Sequence, residues 1–243
     1  QGLRSGGLQV RVARENMLNW GLELPGIQYL KKGRDMLVSS EELVDQWDQQ
    51  SAHTDVAGDP LGDNKIEYRN HDGKTIVLKL KTATSVAVGV LDQFDLGPYN
   101  LILLGSSGSA GGFSKKLWDP AIAEKVAIHA PCSVCVTRKL ETGNGMLLCC
   151  DGSDRAFEMV EKSVNYIKRV GAKVSILSVA LEKDGELDCK NDLEKAAQVL
   201  RSLEVEPEKL IVRVGNPVEE IIEVGKEFSF IVLGDSGRTG LKR

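Results

Sequence analysis

The chain has no apolar run approaching the roughly 18 residues that a membrane-spanning helix needs. It has no strong basic stripe, and a formal net charge of -4 argues against nucleic acid as the main partner. Histidine is scarce: His53 and His71 lie in polar stretches, and His129 sits at a helix end, where it serves the helix dipole or faces solvent. There is no G-x-S-x-G elbow, no H-E-x-x-H and no phosphate loop ending in Gly-Lys-[Ser/Thr], so neither catalysis nor a metal site has sequence support. Five cysteines form an odd set without disulfide-scaffold spacing, which suits a reducing, cytoplasmic compartment. The opening "QGLRSGG" has no apolar core behind it and does not read as a secretory signal; without Met it reads as a tag remnant or a segment boundary. What remains, 42% hydrophobic and 27% charged, is an ordinary soluble globular composition for one large domain or two.

"PCSVCVTR" contains a C-x-x-C pair, Cys132 and Cys135. The stretch is β-rich, and residues three apart in a strand point to opposite faces. Their Cα atoms would lie about 10 Å apart, beyond disulfide reach. A strand with small apolar thiols is the simpler reading, ahead of a metal or redox motif.

A repeat runs through the chain. "YNLILLGSSGSAGGFSKK" from Tyr99 aligns with "FSFIVLGDSGRTGLKR" from Phe228 at an offset of 129, which matches Gly105 with Gly234, Gly108 with Gly237 and Gly111 with Gly240. Each copy is an apolar run too short for a helix that ends in a Gly-rich turn, the pattern of a buried parallel strand feeding a loop. The offset is one domain length. Two domains are therefore expected, residues 1–140 and 141–243, joined near "RKLETGNG".

In the second copy, Met146–Cys150 reads as a strand that ends in Asp151-Gly152-Ser153. A helix follows with apolar Ala156, Met159, Val160, Val164 and Ile167, and Gly171 stands at its C-terminus. "KVSILSVAL", "LIVRVG" and "FIVLG" read as further strands, separated by an amphipathic helix near "LEKAAQVLRSLE" and a shorter one that Asn216 caps with Pro217 at its first position. Strand and helix alternate, so the sheet is expected to be mainly parallel. The stretch from Ser39 to Asn64 is expected to hold a helix and a polar Gly/Pro loop.

In their order, "CCDGSDRA", "ILSVAL", "VRVGNPVEEII" and "FIVLGDSGRTG", with "LILLGSSGSAGGFSKKLWDPAIAEKVAIHAPCSVCVTRK" of the first copy, resemble the universal stress proteins. The likeness covers about Lys74 to Arg138 and Gly145 to Arg243; residues 1 to about 60 do not match it clearly. It implies two Rossmann-like α/β units of the adenine nucleotide alpha hydrolase type, each a mainly parallel five-stranded sheet flanked by helices. It also implies that ATP or another adenine nucleotide is the ligand. In that family the ATP-binding members carry G-x2-G-x9-G-[S/T] after the fourth strand, an Asp at the first strand end and a Val on the second strand. Carried over, the second-domain set is Asp151, Gly152, Ser153, Val179, Gly215, Gly234, Gly237 and Arg238, the last a fork donor to phosphate. On pattern alone, Asp151-Gly152-Ser153 is more often an N-cap turn than a ligand site. The sequence ends at Arg243, before the closing Gly-[S/T], helix and strand of the pattern.

In the first copy, Gly105 and Gly108 fit, but the closing Gly falls on Trp118 and the closing Ser/Thr on Asp119. Asp119-Pro120 before "AIAEKVAI" is a strong helix start, with Asp as N-cap and Pro at the first position. The helix's phosphate-holding N–H groups would then face the chain's own carboxylate. At about 4 Å that charge repels a phosphate by roughly 1 to 4 kcal/mol per charge. The first copy also has no acidic-Gly-Ser turn near "GLELPGIQ", so its site is expected to be degenerate.

Three functions stand side by side. One is a tandem stress-response module that senses nucleotide through its second domain. Another is a non-binding interaction scaffold, or a cytosolic regulatory domain of a membrane transporter or other membrane-protein partner. The third, a nucleotide hydrolase, lacks a candidate base. The two copies are expected to associate as an internal pseudo-dimer, because the β-rich "CSVCVTR" edge needs a partner; a homodimer is left open.

Overall fold

The computed structural model describes residues 25–39, 46–53, 64–81, 83–94, 97, 99–105, 120–137 and 143–234. The chain divides into two compact units, Gln1–Arg138 and Lys139–Arg243. It is an α/β fold in which parallel strands are flanked by helices, and no helix among the described residues is long and apolar enough to cross a membrane.

The first unit contains helix α1 (Pro25–Val38), strands β1 (Asp48–His53), β2 (Asn64–Arg69) and β3 (Thr75–Leu80), helix α2 (Val86–Phe94), strand β4 (Leu101–Gly105), helix α3 (Pro120–His129) and strand β5 (Ser133–Thr137). β1, β2 and β3 pair antiparallel in that order, and β4 pairs parallel with β5. The mainly parallel sheet expected here is therefore confined to β4 and β5 among the described residues. The reason is the "NHDG" turn. The Gly73 N–H donates to the Asn70 carbonyl, and the Asn70 side chain accepts from the Lys74 N–H at 2.7 Å. Gly73 takes a positive φ of 80°. A turn this short can join only antiparallel neighbours, since a parallel pair needs a crossover of a dozen residues or more. β1 likewise replaces, over Asp48–His53, part of the helix expected between Ser39 and Asn64; cross-strand pairing with β2 decides its conformation. α1 covers one face of this sheet. Ile27, Tyr68 and Leu78 are buried, and the Arg34 guanidinium lies over the Tyr68 ring at 4.4 Å from its centroid.

The second unit contains β6 (Met146–Cys149), α4 (Asp154–Val170), β7 (Val174–Ala180), a 3-10 turn at Lys183–Gly185, α5 (Glu186–Ser202), β8 (Lys209–Val214), α6 (Pro217–Gly225) and β9 (Phe230–Leu233). All four strands are parallel in the order β8-β7-β6-β9. β6 is central, so its apolar run is buried on both faces. Met146, Leu148 and Cys150 join one core with Val160 and Ile167 of α4 and Leu193 and Leu200 of α5. Leu147 joins the other with Leu177 and Val224, under α6.

Local chemistry sets the helix ends. The Ser153 hydroxyl accepts from the Ala156 N–H at 3.2 Å to start α4. At its end Gly171 is left-handed, and the N–H groups of Gly171 and Ala172 both donate to the Ile167 carbonyl. The Asn216 side chain accepts from the N–H groups of Val218 and Glu219 ahead of α6.

One polar atom in this core is out of place. Ser175, 1% exposed on β7, has a hydroxyl without a hydrogen-bond partner among the described residues. A buried unsatisfied hydroxyl costs about 1 to 3 kcal/mol. Ser175→Ala is therefore expected to leave stability unchanged or raise it by about 1 kcal/mol; a lower denaturation midpoint in urea would contradict this.

Candidate functional site

In the second unit the strand order turns at β6, which has β7 on one side and β9 on the other. The crevice beyond the carboxyl ends of strands at such a reversal is where open α/β sheets bind ligands. The chain delivers Asp151-Gly152-Ser153 there from β6, Gly234 from β9, and Val179 and Gly215 from β7 and β8. These six of the expected residues thus share one sheet edge. Gly237 and Arg238 lie outside the described residues, as do Gly108, Trp118 and Asp119 of the first unit. There α3 begins at Pro120 and β4 ends at Gly105, where an added Cβ would meet no atom of the described residues within 4 Å.

The turn after β6 is built by its own side chains. Asp151 Oδ1 accepts from the Ser153 N–H at 3.1 Å and from the Ser153 hydroxyl at 2.6 Å. Gly152 has a φ of 76°, and a side chain there would run into the carboxylate of Asp192, which reaches over the turn from α5. Gly215 (φ 150°) donates its N–H to the Ala180 carbonyl at 2.9 Å, and Glu220 of α6 stands beside it. Gly234 approaches the first turn of α4, where an added Cβ would sit 3.5 Å from Ala156 Cα and from Met159 Cβ.

The edge is acidic. Asp151 and Asp154 flank the start of α4, Asp192 lies across it and is bonded to Lys195 at 3.1 Å, and Glu220 is 4.0 Å from the Arg213 guanidinium. The positive end of α4 is thus already compensated by carboxylates. Two thiols sit just below. Burial, with Cys150 beside it, pushes the Cys149 thiol up to about 12. Burial pushes Cys150 up too; the Gly152 N–H opposes this, while the Asp151 and Asp192 carboxylates add to it. Neither supplies a thiolate at neutral pH, so this edge offers no cysteine nucleophile.

Asp192 and Glu220 were not expected at the site. Both arrive through helix packing, and nothing in their local sequence points to it. All five cysteines are free thiols: Cys132 stands at the entrance of β5 and Cys135 within it. No group of three or more His, Cys, Asp or Glu suited to a metal occurs among the described residues.

No protein-family model and no curated protein matches the chain. Among solved structures it is similar to universal stress proteins. A universal stress protein in complex with cAMP aligns at 18% identity and a TM-score of 0.31, over 34% of this chain and 68% of that one. One from Archaeoglobus fulgidus aligns at 20% identity and a TM-score of 0.36, over 41% and 81%. Another, from Archaeoglobus fulgidus DSM 4304, aligns at 21% identity and a TM-score of 0.42; it covers 58% of this chain, which spans half of that protein's length.

Proposed function

We propose that the chain is a tandem stress-response module that binds an adenine nucleotide at the sheet edge of its second unit. The observation that supports this reading is the β8-β7-β6-β9 order, in which Asp151, Gly152 and Gly234 stand at the reversal point of a parallel sheet, with Val179 and Gly215 farther along the same edge. On this reading Asp151 and Val179 contact the nucleoside, Gly234 gives clearance beside it, and Gly237 and Arg238 receive the phosphates. On this reading the role is regulatory.

One observation favours the second reading, an interaction scaffold or the regulatory domain of a membrane protein. Asp151 is already committed to its own turn, and the surrounding carboxylates repel phosphate.

Calorimetric titration of the full chain with ATP, ADP, AMP and cAMP separates the two. Nucleotide binding is expected to weaken about tenfold or more in Asp151→Ala, the loss of a charge-assisted hydrogen bond. Asp151→Asn keeps an acceptor for the Ser153 N–H, so it separates the role of the charge from that of the turn. Heats indistinguishable from dilution for every nucleotide would favour the scaffold. Unchanged affinity in Asp151→Ala would refute the assignment of that residue.

A further inference from the structure

β6 and β9 enter the sheet of the second unit side by side, and the residues just before them are clamped together. The Asn144 N–H donates to the Ser229 hydroxyl at 3.1 Å, and the Ser229 N–H donates to the Gly145 carbonyl at 3.0 Å. Beside them the Met146 N–H donates to the Lys173 carbonyl at 2.8 Å. The Asn144-Gly145 dipeptide is thus held at both ends, but the peptide group between its residues is not. Neither the Asn144 carbonyl nor the Gly145 N–H has a hydrogen-bond partner among the described residues. Asn144 itself is exposed, and its side-chain amide has no partner there either.

The sequence at this spot is chemically labile. Asn144 is the only asparagine of the chain that is followed by glycine. Asparagine amides are thermolabile; they are lost when the backbone nitrogen of the next residue attacks the side-chain carbonyl carbon. A following glycine presents that nitrogen without a Cβ in the way and lets the peptide plane turn. Gly143 and Gly145 flank Asn144 with φ values of 96° and 78°. Other asparagines are held back. The side chains of Asn70 and Asn216 accept from backbone N–H groups, and the peptides after Asn165 and Asn191 lie inside α4 and α5, where the helix holds their N–H groups.

We propose that Asn144 is a site of spontaneous deamidation that unclamps β6 from β9. The Gly145 nitrogen bonds to Asn144 Cγ, the Cγ–Nδ2 bond breaks, and the amide leaves as ammonia with the proton from Gly145. Water then opens the cyclic imide at either carbonyl and gives aspartate or isoaspartate. The isoaspartate linkage runs the main chain through the former side chain, which adds a methylene between the Asn144 N–H and the Gly145 carbonyl. Ser229 cannot then hold both groups, and the start of the central strand loses a fixed point.

The test follows the full chain in warm, mildly alkaline buffer, native or unfolded in urea, by peptide mass spectrometry. Isoaspartate is labelled with an isoaspartyl methyltransferase and its methyl donor. The native chain is expected to lose the Asn144 amide before any other, at a rate within about tenfold of that in urea, because no sheet hydrogen bond has to open first. The label should fall on the same peptide and vanish in Asn144→Gln. The isoaspartate-bearing fraction, separated by ion exchange, should unfold at a lower urea concentration than fresh protein. Asn144→Asp, with the normal linkage, should keep the parent midpoint, since both Ser229 bonds use main-chain groups of residues 144 and 145. Protection of Asn144 by more than about tenfold in the native chain, or faster loss at another asparagine, overturns the assignment of the site. An isoaspartate fraction with the parent midpoint overturns the unclamping.

Discussion

Leu148→Ala should lower the stability of the second unit by about 2 to 5 kcal/mol, more than any other substitution considered for this protein. Leu148 is fully buried on the central strand β6, between β7 and β9, in the core shared by α4 and α5. The substitution removes three side-chain carbons from a place where neighbours on both flanking strands are held by hydrogen bonds. The surroundings can collapse only partly into the space, and the cavity term adds to the transfer term. Urea unfolding followed by far-ultraviolet circular dichroism measures the change. A loss below about 1 kcal/mol would mean that β6 is not the centre of this core.

The second large effect is expected at Gly152. Gly152→Val places a β-branched residue at a φ of 76°, a conformation that such residues essentially do not adopt. The backbone strain alone is of order 1 to 3 kcal/mol. The new side chain also displaces the Asp192 carboxylate from above the turn. The Asp151–Ser153 hydrogen bonds that shape the start of α4 depend on this backbone and should loosen with it. The expected result is a loss of about 2 to 3 kcal/mol in unfolding free energy, together with loss of any nucleotide affinity at the sheet edge. Asp192→Ala separates the two causes: combined with Gly152→Val it relieves the collision and leaves the strain. If Gly152→Val unfolds at the same urea concentration as the parent, the left-handed turn is not what the fold requires.

The residues that made the second unit legible act over short distances. Ser153, Gly171 and Asn216-Pro217 announce helix ends because capping is chemistry between a side chain and a backbone group two or three residues away. The continuous apolar run of β6 and the alternation of strand with helix announce a parallel sheet for the same kind of reason. Asp192 and Glu220 could not be read this way. They come to the edge only once α5 and α6 have packed, and that depends on contacts across the whole unit. In the first unit the signal was present and local. Asp72-Gly73, between runs that alternate Ile66, Tyr68 and Ile76, Leu78, marks a hairpin. The glycine-rich repeat at Gly105 drew the reading toward a second copy of the parallel pattern instead.

The antiparallel sheet of the first unit and the parallel sheet of the second also set different demands on the order of events as the chain folds. β2 and β3 are joined by a turn of a few residues, so their pairing can form within microseconds of both being available. In the second unit the pairing of β6 reaches from Met146 to Phe230, and it closes only after three helices and two strands have been made. Pairings of such long sequence separation are slow, because the loop entropy is lost before the contacts form. During synthesis β6 meets β7 first, and its other edge, Met146 to Cys149, stays open until β9 leaves the ribosome. An apolar strand with one free edge is a template for the wrong partner. Among the described residues, the second unit is therefore the part expected to be most exposed to aggregation while its sheet is incomplete.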